Sequence, residues 1–417
     1  MRMTDQIETW EQEINIDLSD IYTQIDQTSE RNVAKVLDAF QEAGISKHHL
    51  VGSDGYGYDD EGREKLEQVY ARIFGMESAL VRPHFVSGTH AISAALFGNM
   101  RPGEQLVYAS GDPYETMQSV LGLTGDEVGN FKEYNMDTHV VPLKKGRIDL
   151  SLVSAAISEK TSWVVIQRSS GYDSRPSITV DELGAYISHI KTHHPHVNVF
   201  VDNCYGEFVE TEEPGDVGAD LIAGSLIKNP GGGIAKTGGY IAGKTRFVER
   251  AASRLSAPGI GIEAGATGPF LHDAFLGVFM ASTVVADAVK GAHFTAAMLE
   301  KAGFHTTPSS MTKRTDLIQA VHFGEERAMV SFCQSIQQNS PVDARALPVP
   351  GPLPGYDGNV IMAAGTFVQG ASIELSADGP VTEPYTAYVQ GGLSFAHVKI
   401  AVKRALATML HHSCQKS

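Results

Sequence analysis

The chain has 417 residues, a formal net charge of −16, 42% hydrophobic residues and 20% charged residues. That balance excludes fibrous and disordered classes and fits a globular protein long enough for two or three compact units. The acidic charge, with no dense basic patch, also argues against nucleic acid as a partner, because phosphates would be repelled.

Residues 5–40 carry Ile7, Trp10, Ile14, Ile21, Ile25, Val33, Val36, Leu37 and Phe40 at mostly helical spacing, which predicts an interrupted amphipathic helix. Residues 1–50 thus form an N-terminal helical arm. After the glycine-rich GSDGYGYDDEG, the segment REKLEQVYARIF predicts a helix that stops at Gly75. From residue 78 to 243 short apolar runs (ALVRPHFV, QLVYAS, THVVPL, SWVVIQRS, NVFVDNCY, ADLIAGSL, GGYIAG) alternate with helical stretches, the sequence form of a mostly parallel sheet buried on both faces. Residues 51–290 are expected to be this large α/β domain. A helix over 269–301 leads into a smaller C-terminal domain, 291–417, with strands at DLIQAVHF and ASIELS, a loop at PVPGPLPGYDG and a last helix at HVKIAVKRALATMLHH.

The polar N-terminus lacks an apolar h-region, and no apolar run approaches the ~18 residues of a membrane span, so no membrane is expected. Cys204, Cys333 and Cys414 lie far apart without CxxC spacing. They suggest neither a disulfide framework nor a thiolate metal site, and a reducing cytoplasm is the expected setting. KTHHPHVN reads as an exposed helix end, and no metal-ligand spacing is evident among the histidines.

Four segments carry the chemistry. In VSGTHAISAAL a strand end passes through Ser87, Gly88, Thr89 and His90 into a helix, whose amides and dipole make an anion site; simple helix capping is the alternative. In YASGDPYETM, Tyr114 follows a strand end, where its ring could stack on a planar heterocycle or simply pack over the strands. In VNVFVDNCYGEF, Asp202 ends a buried strand and needs a cation: a pyridinium nitrogen, or a metal shared with Glu207, although no Walker lysine motif supports the metal. Glu207 otherwise reads as a surface carboxylate. In SLIKNPGGG, Ser225 precedes Lys228 and the glycines come after the lysine, the reverse of a P-loop. A lysine at a low-dielectric sheet edge can lose its proton and attack an aldehyde. Taken in order, a phosphate loop, a stacking ring, a strand-tip aspartate and Ser-x-x-Lys are the parts that hold pyridoxal 5'-phosphate.

With these motifs the sequence resembles the fold type I pyridoxal phosphate enzymes, and within them the methionine gamma-lyase-like family also known as aluminium-resistance proteins, related to the cystathionine lyases. GSDGYGYDDEGREKLE, ALVRPHFVSGTHAI, VDNCYGEFVE, SLIKNPGGGIAKTGGYIAG and QGGLSFAHVKIAV carry the resemblance. It implies a large cofactor domain with a mostly parallel sheet, a small C-terminal α+β domain, and homodimers paired as tetramers with sites at the subunit interface. It assigns Lys228 as the Schiff-base lysine, Asp202 as the pyridinium partner, Tyr114 as the stacking ring, and Ser87, Gly88, Thr89 and Ser225 as phosphate ligands. Tyr56, Tyr58 and Arg63 could reach a neighbouring subunit's site, and Thr267 could donate to the partner's phosphate or cap a helix. Gln167, Arg168 and Arg175 follow a strand end, where an arginine could grip a substrate carboxylate or form an interdomain ion pair. The implied activity is a carbon–sulfur lyase acting on a sulfur-containing amino acid by β- or γ-elimination. An aldolase or aminotransferase with the same cofactor, and a non-catalytic cofactor-binding regulator, are the other readings.

Overall fold

The computed structural model describes residues 3–173, 175–352 and 358–414. Helices α1 (Met3–Asp17), α2 (Ser19–Ala43) and α3 (Glu61–Ile73) lead into β1 (Ser78–Arg82), α4 (Gly88–Asn99), β2 (Gln105–Tyr108), α5 (Glu115–Leu121) and β3 (Asp137–Val140). There follow α6 (Leu150–Ala156), β4 (Thr161–Gln167), α7 (Val180–His193), β5 (Asn198–Asp202), β6 (Leu221–Ser225), β7 (Gly239–Gly243) and α8 (Thr245–Leu255). The chain closes with α9 (Phe270–Lys301), β8 (His305–Thr307), β9 (Gln319–His322), α10 (Glu326–Gln338), β10 (Gly351–Pro352), β11 (Asn359–Ala363), β12 (Ser376–Pro380), β13 (Thr386–Gln390) and α11 (Phe395–Cys414).

The chain divides into two compact units, one of Asn32–Gly171 with Arg175–Ala281, the other of Met1–Arg31, Tyr172–Ser174 and Ser282–Ser417. The boundary therefore falls inside α2 and inside α9 rather than in linkers. In the first unit seven strands run in the order β1-β7-β6-β5-β4-β2-β3. The five strands from β6 to β3 are parallel, and β7 and β1 run antiparallel. Every residue of β6 is buried, as are the last four of β5, which is why both read as continuous apolar runs rather than alternating ones. Leu80, Ile92, Trp163, Phe200, Ile241 and Phe247 belong to the core on one sheet face.

The second unit holds a six-stranded antiparallel sheet, β10-β11-β12-β13-β9-β8. Ile7 and Ile14 of α1, with Leu18 between α1 and α2, share its core with Phe332 and Leu406. Two sequence expectations are corrected here. ASIELS is a turn and the strand begins at Ser376, because the Glu374 carboxylate accepts the backbone amides of Phe367 (2.8 Å) and Val368 (2.9 Å) and folds the segment back. Helix α9 is long and apolar enough to cross a membrane, yet 67% of its apolar stretch is buried in the protein, as in a core helix. Its apolar residues are spaced by Gly, Ala, Ser and Thr, so no continuous run announced it. Part of the PVPGPLPGYDG loop lies outside the described residues.

Candidate active site

The parallel strands end on one sheet edge, and the strand-end residues meet there in register: Gln167 of β4 lies beside Asp202 of β5, and Asp202 beside Ala223 of β6. Ser225 and Lys228 follow from β6, and α4 begins over the same edge. Open α/β sheets bind ligands at this place because the strand ends leave a crevice flanked by helix N-termini.

Ser87 caps α4, its Oγ accepting the His90 amide at 3.0 Å, so capping accounts for this hydroxyl. The cap leaves unused the amides of Gly88 and Thr89, at the positive end of the helix. Gly88 sits close to its neighbours: a Cβ there would lie 3.3 Å from Ser225 Cβ, a tight contact, and 3.5 Å from Cys204 Sγ. Ser225 is 1% exposed and its Oγ has no hydrogen-bond partner among the described residues. Thr89 joins Thr116 (3.0 Å) and the Tyr114 hydroxyl (3.5 Å), which brings the stacking candidate to the α4 loop. Burial, with Asp202 and Cys204 nearby, holds the Tyr114 phenol well above its usual pKa. Burial lowers the pKa of His90, and its Nδ1 accepts the Val86 amide at 3.3 Å, so the ring supports the loop.

Asp202 is 4% exposed, and its Oδ1 accepts the Cys204 amide at 3.1 Å. Burial raises its pKa, while the charge of Lys228 and this hydrogen bond pull the other way. Lys228 is half-buried, with Nζ 4.1 Å from the centroid of the Tyr205 ring. Burial disfavours its ammonium, but Cys204, Tyr205, Asp202 and Glu207 around it outweigh that and raise its pKa above the usual lysine value. In the protein alone these surroundings favour the protonated lysine.

Glu207 is not a surface group. It is fully buried, its Oε1 accepts the Tyr240 hydroxyl at 2.9 Å, and burial pushes its pKa to about 8. Tyr205 is the residue beside Lys228 that sequence reasoning passed over, and Cys204 and Glu207 stand closer to the site than their sequence readings gave them. The one sequence signal for Tyr205 was its position shortly after Asp202.

The arginine candidates are occupied by the protein itself. Arg168 is fully buried, donating to Asn203 Oδ1 and Glu210 Oε1, each at 2.9 Å. The Arg168–Glu210 ion pair lies within the first unit. Arg175 donates to the carbonyls of Gln167 (3.0 Å) and Ser169, bracing the strand-end loop. Gln167 accepts from the Tyr108 hydroxyl (3.0 Å) and donates to the Ser169 carbonyl (3.2 Å). Arg63 is buried and donates to the carbonyls of Gly57 (2.6 Å), Gly265 (3.0 Å) and Glu263 (3.1 Å), whereas Tyr56 and Tyr58 are 75% and 58% exposed with stacked rings. Thr267 is buried and donates to Asp60 at 2.7 Å, locking the 50s turn to the 260s loop.

Among the described residues, His48, His49 and Glu61 come close enough to suggest a metal. His49 Nδ1 accepts the Ser46 amide at 3.0 Å, which puts the ring proton on Nε2, the atom facing Glu61. That nitrogen is a donor, not a ligand.

The sheet order and the strand-end site define a fold type I pyridoxal phosphate enzyme architecture. The family model for methionine gamma-lyase matches residues 7–410, and the chain belongs to that family. A Listeria monocytogenes structure, described as a candidate cystathionine beta-lyase involved in aluminum resistance, is 51% identical with a TM-score of 0.95, covering 96% of this chain and 100% of that one. A structure from Clostridium novyi, described as a carbon-sulfur lyase involved in aluminum resistance, is 44% identical with a TM-score of 0.93, covering 97% and 96%. The uncharacterized protein YnbB of Bacillus subtilis is 51% identical over 400 residues, 95% of each chain. At 15% identity and a TM-score of 0.55, cystathionine gamma-lyase from Lactobacillus plantarum shares the fold.

Proposed function

We propose that the chain is a carbon–sulfur lyase that uses pyridoxal 5'-phosphate at this sheet edge to cleave a sulfur-containing amino acid by β- or γ-elimination, releasing a thiol, an oxo acid and ammonia. The observation that carries the reading is the convergence of Asp202, Lys228 and the unpartnered buried hydroxyl of Ser225 beside the amides of α4. The residues fit the cofactor. Among the described residues Ser225 Oγ has no partner, which a phosphate oxygen would supply, Gly88 leaves room there, and Asp202 is a buried carboxylate suited to a charged ring nitrogen. Membership of the lyase family supports the reaction class, and the relatives' descriptions support sulfur as the leaving atom.

The cofactor, when bound, supplies an electron sink for the carbanion at the substrate Cα. Lys228 would anchor it and, once displaced by the substrate amine, take the Cα proton on Nζ. Asp202 would keep the ring nitrogen protonated, Tyr114 would cover one ring face, and Ser225, Gly88 and Thr89 would hold the phosphate. The exposed Tyr56 and Tyr58, with Val86 at 82% exposure, support homo-oligomer formation through the first unit. A reducing cytoplasm agrees with Cys204 and Cys333 as buried free thiols.

The test is direct. Purified protein should be yellow, borohydride should fix the cofactor on the peptide containing Lys228, and a panel of amino acids should yield thiol with ammonia. Aldehyde with glycine, amino transfer to an oxo acid, or binding without turnover would each overturn the reading.

A further inference from the structure

Lys228 is held by a neighbour whose own backbone is held in turn. Tyr205 has φ of +71°, in the left-handed region that a bulky residue adopts only when its surroundings enforce it. Those surroundings are plain. Cys204 N–H is tied to Asp202 Oδ1, and Gly206 N–H closes a turn on the Asn203 carbonyl at 3.0 Å. Asn203 is fixed between Arg168 (2.9 Å) and Glu213 (3.0 Å). The conformation aims the Tyr205 ring at Lys228 Nζ, 4.1 Å from the centroid, well within cation–π reach.

Resting on the assignment of Lys228 as the anchor, we propose that Tyr205 is a positioning residue that parks the Lys228 ammonium against its ring in the cofactor-free protein, and so sets the rate at which pyridoxal phosphate is captured. For capture, the ammonium leaves the ring and gives a proton to solvent. Its nitrogen then forms a double bond to the aldehyde carbon, and the carbonyl oxygen departs as water. A ring that stabilises only the charged form slows the first step. Asp202, Cys204 and Glu207 also face the lysine, and Arg175 acts on Asp202. Their contribution is common to all Tyr205 variants, so it cancels in the comparison.

The experiment uses cofactor-free protein as wild type, Tyr205→Phe and Tyr205→Asn, asparagine being chosen because it tolerates positive φ. Lys228 titration is followed by NMR after 13C reductive methylation, and capture of added pyridoxal phosphate at neutral pH by absorbance. Tyr205→Phe should match wild type. Tyr205→Asn should lower the Lys228 pKa and speed capture by about two- to thirty-fold, the range of a cation–π contact. Asparagine within twofold of wild type, or phenylalanine behaving like asparagine, would overturn the proposal. Should the asparagine variant not fold, phenylalanines of increasing fluorination at position 205 weaken the ring's negative face at constant shape, and a flat response across them overturns it equally. Borohydride fixation at another lysine would refute the anchor assignment, while the Lys228 titration still decides the ring contact.

Discussion

Ser225→Ala should push the cofactor-free and cofactor-bound proteins in opposite directions. In the protein alone, Ser225 Oγ is buried with no hydrogen-bond partner among the described residues, so removing it leaves none of them unpaired. Removing it should leave stability unchanged or raise it by up to about 1–3 kcal/mol, with no cavity larger than one oxygen. With pyridoxal phosphate bound, the same hydroxyl would donate to a phosphate oxygen. A hydrogen bond to a charged group contributes about 1.5–3 kcal/mol, which corresponds to roughly ten- to hundredfold in affinity. Chemical denaturation of the cofactor-free pair, together with fluorescence titration of the cofactor, measures both arms. Equal destabilisation of the two forms, or an affinity within twofold of wild type, would refute the assignment of Ser225 to the phosphate.

Three further outcomes follow from the same geometry. Arg168→Met takes the guanidinium away from Glu210 and the fully buried Glu213, so denaturation should show a loss of about 3–5 kcal/mol; unchanged stability with a raised KM would instead make Arg168 a substrate group. Gly224→Ala would place a Cβ 2.5 Å from Glu207 Oε1 and 2.6 Å from the Tyr240 ring, and should cost about 1–3 kcal/mol on thermal unfolding. A change under about 0.5 kcal/mol would mean that this packing is looser than it stands. Glu207 has its pKa raised from 4.5 to about 8, so its protonated form is the one the fold favours. Its stabilisation is complete below about pH 4.5 and is lost as pH rises through about 8. Compared with Glu207→Gln across that window, the wild type should lose stability steadily, and parallel pH profiles would contradict the burial argument.

The local signals in this chain were strong because the chemistry sits at strand ends. The runs NVFVD and LIAGS mark buried parallel strands, and the residues that close them, Asp202 and Ser225, fall on one sheet edge by topology alone. Lys228, Tyr114 and the Ser87–Gly88–Thr89 loop could be named for the same reason: each lies within a few residues of a strand end or helix start. Side-chain commitments were another matter. Arg168 reads in sequence as a free strand-end arginine, but Asn203, Glu210 and Glu213 claim it from beyond α7 and β5. Arg63 is claimed likewise by carbonyls some 200 residues away. Glu207 reads as a surface acid because its burial depends on Gly224 and Tyr240, two strands distant in the sequence. The sequence by itself determined the strand order of motifs, since hydrophobic periodicity and turn chemistry are local. Only the tertiary structure decided which charges are spent inside the protein and which one, Lys228 on the ring of Tyr205, waits at the sheet edge, because burial and partner choice arise from contacts between segments that the chain brings together only on folding.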